Sequence, residues 1–209
     1  MFDGEITPVV SETFRRDGLQ DRGITLPRRI ERLDADTHAR PTSLDVLAKI
    51  RPAFGGVQTG GNSSAVVDGA AAVVLASGAQ AKGRRPLARV IAGCAVGCPP
   101  EIMGIGPVPA IRALLDRAGL SLRDIAFIEI NEAFGAQVMA CARELDLDEA
   151  RLNVNGGAIA IGHPLAATGI RLALTLSRTL RAQGGRYGIA SACIGGGQGI
   201  ALLIENADA

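Results

Sequence analysis

The sequence predicts an α/β fold, a layered sheet with helices packed against it, and three observations carry that prediction. Hydrophobic residues make up 47% of the 209 and charged residues 21%, enough to bury a sizeable core. From Ala88 onward, short apolar runs alternate with segments of helical period, the pattern of a sheet covered by helices. The last two apolar runs are joined only by IGGGQG (Ile194 to Gly199), too short for a parallel crossover, so they pair as an antiparallel hairpin and make the sheet mixed.

The elements follow in chain order. The stretch to about Ala65 is charged, broken by Pro8, Pro27, Pro41 and Pro52, and would make a poor core by itself. Within it only Pro41 to Ile50 reads as helix, with proline at its start and Leu44, Leu47 and Ala48 on one face. Then come a strand over Ala88 to Val96, a helix over Val108 to Ala118, a strand over Ile125 to Ile130 and a helix over Ala133 to Leu145. A short strand near Leu152 to Val154 precedes a helix from Pro164 to about Ala182, and strands Tyr187 to Ala192 and Ile200 to Ile204 close the chain. In the last helix Arg171, Thr175, Arg178 and Arg181 form one stripe while leucines cover most of the rest, so it packs on the sheet.

Length and charge narrow the function classes. A chain of 209 residues is one large domain or about one and a half average ones. A formal net charge of +1 gives no electrostatic case for nucleic acid or an acidic membrane, which leaves a small molecule or another protein as partner. No uncharged apolar run is long enough to span a bilayer, and MFDGEITPVV is not built like a secretory leader. The expected location is cytoplasmic, with an organelle matrix as the other compartment.

Cys94, Cys98, Cys141 and Cys193 match neither a metal-site nor a disulfide spacing. Cys141 shares a helical face with Phe134, Val138 and Leu145 and reads as a small buried hydrophobe, and burial is also expected for Cys94 and Cys98. A zinc site would need His38 and His163 to converge with thiols from distant segments, and nothing in the pattern asks for that.

Two glycine-framed reactive residues concentrate the chemistry. His163 lies inside NGGAIAIGHPLAATG (Asn155 to Gly169), and Cys193 opens CIGGGQG (Cys193 to Gly199). Glycine-dense flanks let backbone amides approach a ligand and are a poor way to build an inert core. Pro164 is read as opening a helix, which places His163 at a positive dipole end that favours a neutral, proton-accepting ring. The alternative is a histidine that merely caps and packs. Cys193 sits where a strand meets three consecutive glycines, which would expose the thiol and aim amides such as that of Gly195 into the same space. The alternative there is a tight hairpin with cysteine as filler. Asn131, opening NEAF (Asn131 to Phe134), ends a strand and could equally be a helix cap.

Taken together and in order, NEAF, GHP in its glycine-alanine frame and CIGGG resemble the thiolase family. RPAF (Arg51 to Phe54), GGNSSAVVDGAAAVVLAS (Gly60 to Ser77) and MGIGPVPA (Met103 to Ala110) resemble the family's segments that hold coenzyme A and close its N-terminal domain. DGAAAVVLAS and GQGIALLIEN share a glycine turn followed by a small apolar strand, a faint sign of the family's internal duplication. The resemblance implies a thiolase-like layered fold, with 1–84 as a loop region and the end of the N-terminal domain and 85–209 as a complete C-terminal domain.

It also implies a coenzyme A-dependent acyltransferase that makes or cleaves the carbon–carbon bond of 3-ketoacyl-CoA, with coenzyme A and acyl-CoA as substrates and no permanently bound cofactor. His163 resembles the histidine that deprotonates a nucleophilic cysteine and, with a water held by Asn131, stabilises the thioester enolate. Cys193 resembles the acid/base cysteine, with the Gly195 amide at the acyl-enzyme oxyanion. Ser64, Met103, Ala133 and Phe134 fall where the family lines its pantetheine channel, or are ordinary loop and core packing. Arg15, Arg16, Arg22, Arg28, Arg29 and Arg32 are a solvated surface or a contact to coenzyme A phosphates.

The chain departs from the family in starting at a point that resembles its middle, so the nucleophilic cysteine is expected on a segment outside it. Ala166 also stands where the family usually has glycine. Three readings follow: the C-terminal part of a thiolase; a non-catalytic coenzyme A-binding or assembly module that docks onto a separate chain carrying the N-terminal half; and a related condensing enzyme, disfavoured because Cys193 stands where those use a second histidine. The expected partner is a further copy in a homo-oligomer or a chain supplying the N-terminal half.

Overall fold

The computed structural model describes residues 4–15, 18, 22–27 and 30–209. Arg16, Arg28 and Arg29 lie outside the described residues, as does the side chain of Arg22. The chain divides into two compact units, Met1–Ala39 and Arg40–Ala209.

In the first unit β1 (Val9–Val10) pairs antiparallel with β4 (Arg32–Leu33), and β2 (Glu12–Phe14) with β3 (Arg22–Ile24). No described residue before Cys94 is buried, which agrees with the coreless character of the charged, proline-broken sequence. Arg32 pairs with Asp34 at 3.5 Å, both side chains exposed.

The second unit opens with α1 (Leu44–Leu47), a four-residue helix rather than the longer one expected. Ser43 caps it, its Oγ accepting from the Val46 amide at 3.3 Å, and this fixes its start three residues past Pro41. The segment 68–77, expected as an apolar strand, pairs with no strand among the described residues.

The sheet contains β5 (Ala88–Gly97), β6 (Ile125–Ile130), β7 (Tyr187–Ile194) and β8 (Gln198–Asn206), in the order β5-β8-β7-β6. β8 runs antiparallel to both neighbours and β6 parallel to β7, the mixed sheet with terminal hairpin that the short IGGGQG turn dictates. The expected fifth strand shrinks to one parallel bridge, Leu152 to Ile128, behind a 3-10 turn at Glu149–Arg151.

Both faces are covered. α2 (Pro107–Ala118) and α3 (Gly135–Leu145) bury Ile111, Leu114, Val138 and Leu145 against Ile128, Ile130, Ile189 and Leu203. α5 (Thr168–Gln183) buries Leu172, Leu176 and Leu180 against Ala190 and Ile204 on the other face. Adjacent residues 189/190 and 203/204 thus serve opposite layers, as a strand period of two requires.

Two helix starts differ from expectation. α3 begins at Gly135 instead of Ala133 because Phe134 is extended and bridges Ser63. α5 begins at Thr168 instead of Pro164: the Pro164 carbonyl closes a turn with the amides of Ala167 and Thr168 at 2.9 and 3.0 Å before the helix starts. A further helical turn, α4 (Ala158–Ile161), ends in Gly162 with φ +95°. Within the polar stripe on α5, Thr175 is buried and Arg171 reaches the buried Glu129.

Candidate active site

The parallel pair β6/β7 brings two of the expected residues to one edge of the sheet. Ile130 is in register with Ser191, and the Asn131 amide donates to the Ser191 carbonyl at 2.9 Å. Asn131 and Cys193 therefore both sit at the carboxyl ends of neighbouring parallel strands, the end at which α/β sheets bind ligands.

His163 joins them from the other side of the motif. The Asn131 amide nitrogen Nδ2 lies 3.3 Å from His163 Nε2, across 32 residues of sequence. Asn131 is 1% exposed, and its Oδ1 has no hydrogen-bond partner among the described residues. A buried amide oxygen of this kind needs a donor, which suits the water that the family resemblance places here. Asn131 is not a helix cap, because α3 starts four residues later.

Backbone hydrogen bonds lock the ring in place. The His163 amide donates to the Ala65 carbonyl at 2.7 Å, and the Ser64 amide and hydroxyl donate to the Ala133 carbonyl at 3.0 and 3.2 Å. The segment Ser63–Ala65 is thus clamped to both motifs at once. This brings Ser64, Ala133 and the exposed Phe134 together, while Met103 is carried by the 3-10 turn Pro100–Ile105. Because α5 begins at Thr168, His163 lies five residues ahead of the helix rather than on its first turn, yet its Nδ1 still lies 2.7 Å from Thr168 Oγ1.

Electrostatics favour a neutral ring. Burial lowers the His163 pKa from its ordinary 6.5, and the Arg171 guanidinium lowers it further. The thiols shift the other way. Burial raises Cys193, with the neighbouring Cys98 adding to it, and pushes Cys141 to about 11. Cys193 is half-buried, so it holds its proton near neutrality, as suits a proton donor. Cys94 and Cys141 are buried as expected, and Cys98 only half so.

Glycine is required where the hairpin passes the start of α2. A Cβ on Gly199, the cross-strand partner of Cys193, would overlap the Gly106 backbone. Gly195, by contrast, is exposed and has open space around its α-carbon.

Sequence reasoning missed three supports. Glu132 accepts from the Ile159 amide at 3.1 Å and from Asn153 Nδ2 at 3.3 Å, tying NEAF to the loop before His163. Thr168 touches the ring, and Arg171, 3.6 Å from Glu129, sets part of its field. Only Thr168, five residues after the histidine, carried a local signal: a hydroxyl at the start of a helix.

Comparison with known proteins then decides the family. The family model described as “Thiolase, C-terminal domain” matches residues 84–206, and that described as “Thiolase, N-terminal domain” matches residues 1–79. The chain belongs to the thiolase family. It is similar to the mitochondrial 3-ketoacyl-CoA thiolase of Homo sapiens, 52% identical over 179 residues that cover 83% of this chain and 45% of that thiolase. It is also similar to the mitochondrial 3-ketoacyl-CoA thiolase of Bos taurus, 48% identical over 210 residues, or 98% of this chain and 50% of that one. The crystal structure of the human mitochondrial thiolase in complex with CoA superposes with a TM-score of 0.81 at 52% identity, covering 84% of this chain and 46% of that chain. The chain therefore spans about half the length of the thiolases it matches.

The expected cytoplasmic location is corrected by the same comparison. The thiolases from Homo sapiens, Pongo abelii, Bos taurus, Mus musculus and Rattus norvegicus that it matches are all named as mitochondrial, not cytoplasmic.

Proposed function

We propose that this chain supplies the acid/base half of a thiolase site: an acyltransferase that forms or cleaves 3-ketoacyl-CoA by Claisen chemistry, with coenzyme A and its thioesters as substrates and no resident cofactor. One observation carries the reading. A neutral histidine is held against a buried asparagine whose carbonyl oxygen still needs a donor, at the same sheet edge as a half-buried, protonated thiol. The relatives named as 3-ketoacyl-CoA thiolases and the relative crystallised with CoA support the substrate class.

The roles follow from the geometry. His163 Nε2 takes the proton of a nucleophilic thiol, then, with a water held by Asn131, stabilises the developing enolate oxyanion. Cys193 exchanges a proton with the α-carbon in synthesis or with the coenzyme A thiol in cleavage, while the Gly195 amide serves the acyl-enzyme oxyanion. Ser64, Ala133 and Phe134, and Met103 from its separate turn, line the approach of the pantetheine arm. None of the four cysteines has a nucleophile's environment: Cys94 and Cys141 are sealed, Cys193 is the acid, and Cys98 follows β5 with its amide bound to the Gly197 carbonyl at 2.8 Å. The nucleophile is assigned to a segment beyond these 209 residues. In the same reading, 1–84 is the end of an N-terminal thiolase domain and 85–209 the C-terminal one.

A second reading has its own observation. Val66, Val74 and Leu75 are exposed on a segment with no strand partner among the described residues, which favours a coenzyme A-binding or assembly module completed by another chain. One assay separates the two: thiolysis of acetoacetyl-CoA and of a longer 3-ketoacyl-CoA, by this chain alone and mixed with an N-terminal thiolase half. The acyltransferase reading expects turnover only in the mixture, abolished by His163→Ala. Turnover by the isolated chain that Cys193→Ala alone abolishes would make Cys193 the nucleophile and refute the assignment.

A further inference from the structure

We propose that Thr168 is a positioning residue that sets the tautomer of His163, keeping the ring proton on Nδ1 and leaving Nε2 bare toward Asn131. The proposal deepens the acid/base reading of His163 given above and rests on it for its functional meaning, though not for its test.

The argument is a count of hydrogens. Thr168 Oγ1 lies 3.0 Å from the Pro164 carbonyl oxygen and 2.7 Å from His163 Nδ1. A carbonyl oxygen can only accept, so the hydrogen between the two oxygens must come from the hydroxyl, which has one to give. Bonding back to the carbonyl four residues earlier is an ordinary choice for threonine at a helix start. Thr168 is 3% exposed, so no solvent arrangement substitutes for these two partners. With its hydrogen given to the Pro164 carbonyl, which also accepts from the Ala167 and Thr168 amides, the hydroxyl can only accept from the ring. The proton therefore sits on Nδ1, and Nε2 carries a lone pair.

The far side of the ring then falls into place. A bare Nε2 needs a donor, and the group 3.3 Å away is the Asn131 amide nitrogen, with Oδ1 turned away and without a partner among the described residues. The opposite tautomer would require the amide reversed, with Oδ1 on the ring and the NH2 group facing where the enolate oxygen is proposed to form. Thr168 thus fixes two orientations at once: the lone pair that receives a thiol proton, and the amide that presents its carbonyl oxygen to a water.

The 209-residue chain contains two histidines, which makes a direct reading practical. The experiment uses the full chain labelled with 15N-histidine, with proton–nitrogen correlations recorded at pH 7.5 and His38→Gln used to assign the rings. The expected wild-type result is a pyrrole-type Nδ1 and a pyridine-type Nε2 for His163. In Thr168→Val the Nδ1 proton loses its acceptor, and the Nε2 signal moves toward the pyrrole-type position. Thr168→Ser returns it to the wild-type position. A wild-type His163 protonated on Nε2 overturns the proposal even if the valine variant fails to fold, and so do unchanged nitrogen shifts in a folded Thr168→Val. No turnover is needed, so a chain lacking thiolase activity can still show the Nδ1–H tautomer, and an active enzyme with Nε2–H at rest would sink this proposal while leaving the thiolase activity standing.

Discussion

Arg171 and Glu129 form an ion pair of 3.6 Å between α5 and β6, with side chains 15% and 2% exposed. Glu129 lies two residues before Asn131, and Arg171, one helical turn beyond Thr168, is close enough to His163 for its charge to act on the ring. Replacing Arg171 by Met removes a guanidinium from a carboxylate withdrawn from water, at a cost of about 3 kcal/mol, the low end for breaking a buried pair. It also removes one of the two causes that depress the His163 pKa, which should rise toward 6.5. Urea unfolding and a nitrogen-detected titration of His163 check both effects. An unchanged pKa would place the control of the ring in burial alone.

The same depression makes stability depend on pH with a definite sign. The folded-state pKa of His163 is lowered below 6.5, so as pH falls past 6.5 the unfolded chain takes up a proton that the folded chain refuses. Stability from this group is intact above 6.5 and is lost as pH drops from there toward the folded pKa. Urea midpoints at pH 7.5 and at about 5.5 should fall further apart in the wild type than in His163→Gln. Equal differences in the two proteins would show that the ring titrates normally.

Gly162 tests how tightly the ring's backbone is held. It sits at φ +95°, and a Cβ there would come 2.5 Å from Val67 Cγ2. Gly162→Ala should cost about 1–3 kcal/mol through the left-handed backbone alone, and more if Val67 cannot move. It should also displace His163 from Asn131, read as broadened or shifted His163 resonances. A variant as stable as wild type with unmoved resonances would mean that the loop adapts freely.

The sheet and the site were legible from sequence to different depths. β6 spans the residues expected of it, and the IGGGQG turn dictated an antiparallel pair without any knowledge of partners. Two helix starts were not legible, one because its competing partner lies far away in sequence and the other because a local turn precedes the helix. Phe134 is drawn into extended backbone by Ser63, and Pro164 closes a turn that delays α5 to Thr168. Arg171 was read as one member of a polar stripe, since periodicity cannot show that a buried carboxylate waits for it on β6. His163, Cys193 and Asn131 stood out through their glycine frames and order, whereas Glu132 acts through contacts to Asn153 and Ile159 more than twenty residues away, and Thr168 offered only a hydroxyl at a helix start.

The exposed apolar segment predicts association. Val66, Val74 and Leu75 lie uncovered, and removing such surface from water contributes roughly 25 cal/mol per Å². Sedimentation velocity should show concentration-dependent self-association of the isolated chain, suppressed by Val74→Lys or by an added N-terminal half. A compact monomer at every concentration would count against a completing partner.

The measurement that bears most directly on the division of labour between Cys193 and His163 is the pre-steady-state burst of acyl-enzyme formation, set beside the overall condensation rate, in the enzyme completed by its nucleophile-bearing half. Cys193→Ser should leave the burst largely intact and depress condensation severely, because a hydroxyl is a far weaker acid than a thiol and cannot exchange protons with the α-carbon near neutral pH. His163→Ala should depress both steps, with roughly a hundred- to a thousandfold loss expected for the oxyanion contact alone. Equal losses in the two steps for Cys193→Ser would contradict the account and return Cys193 to a structural place in the glycine hairpin.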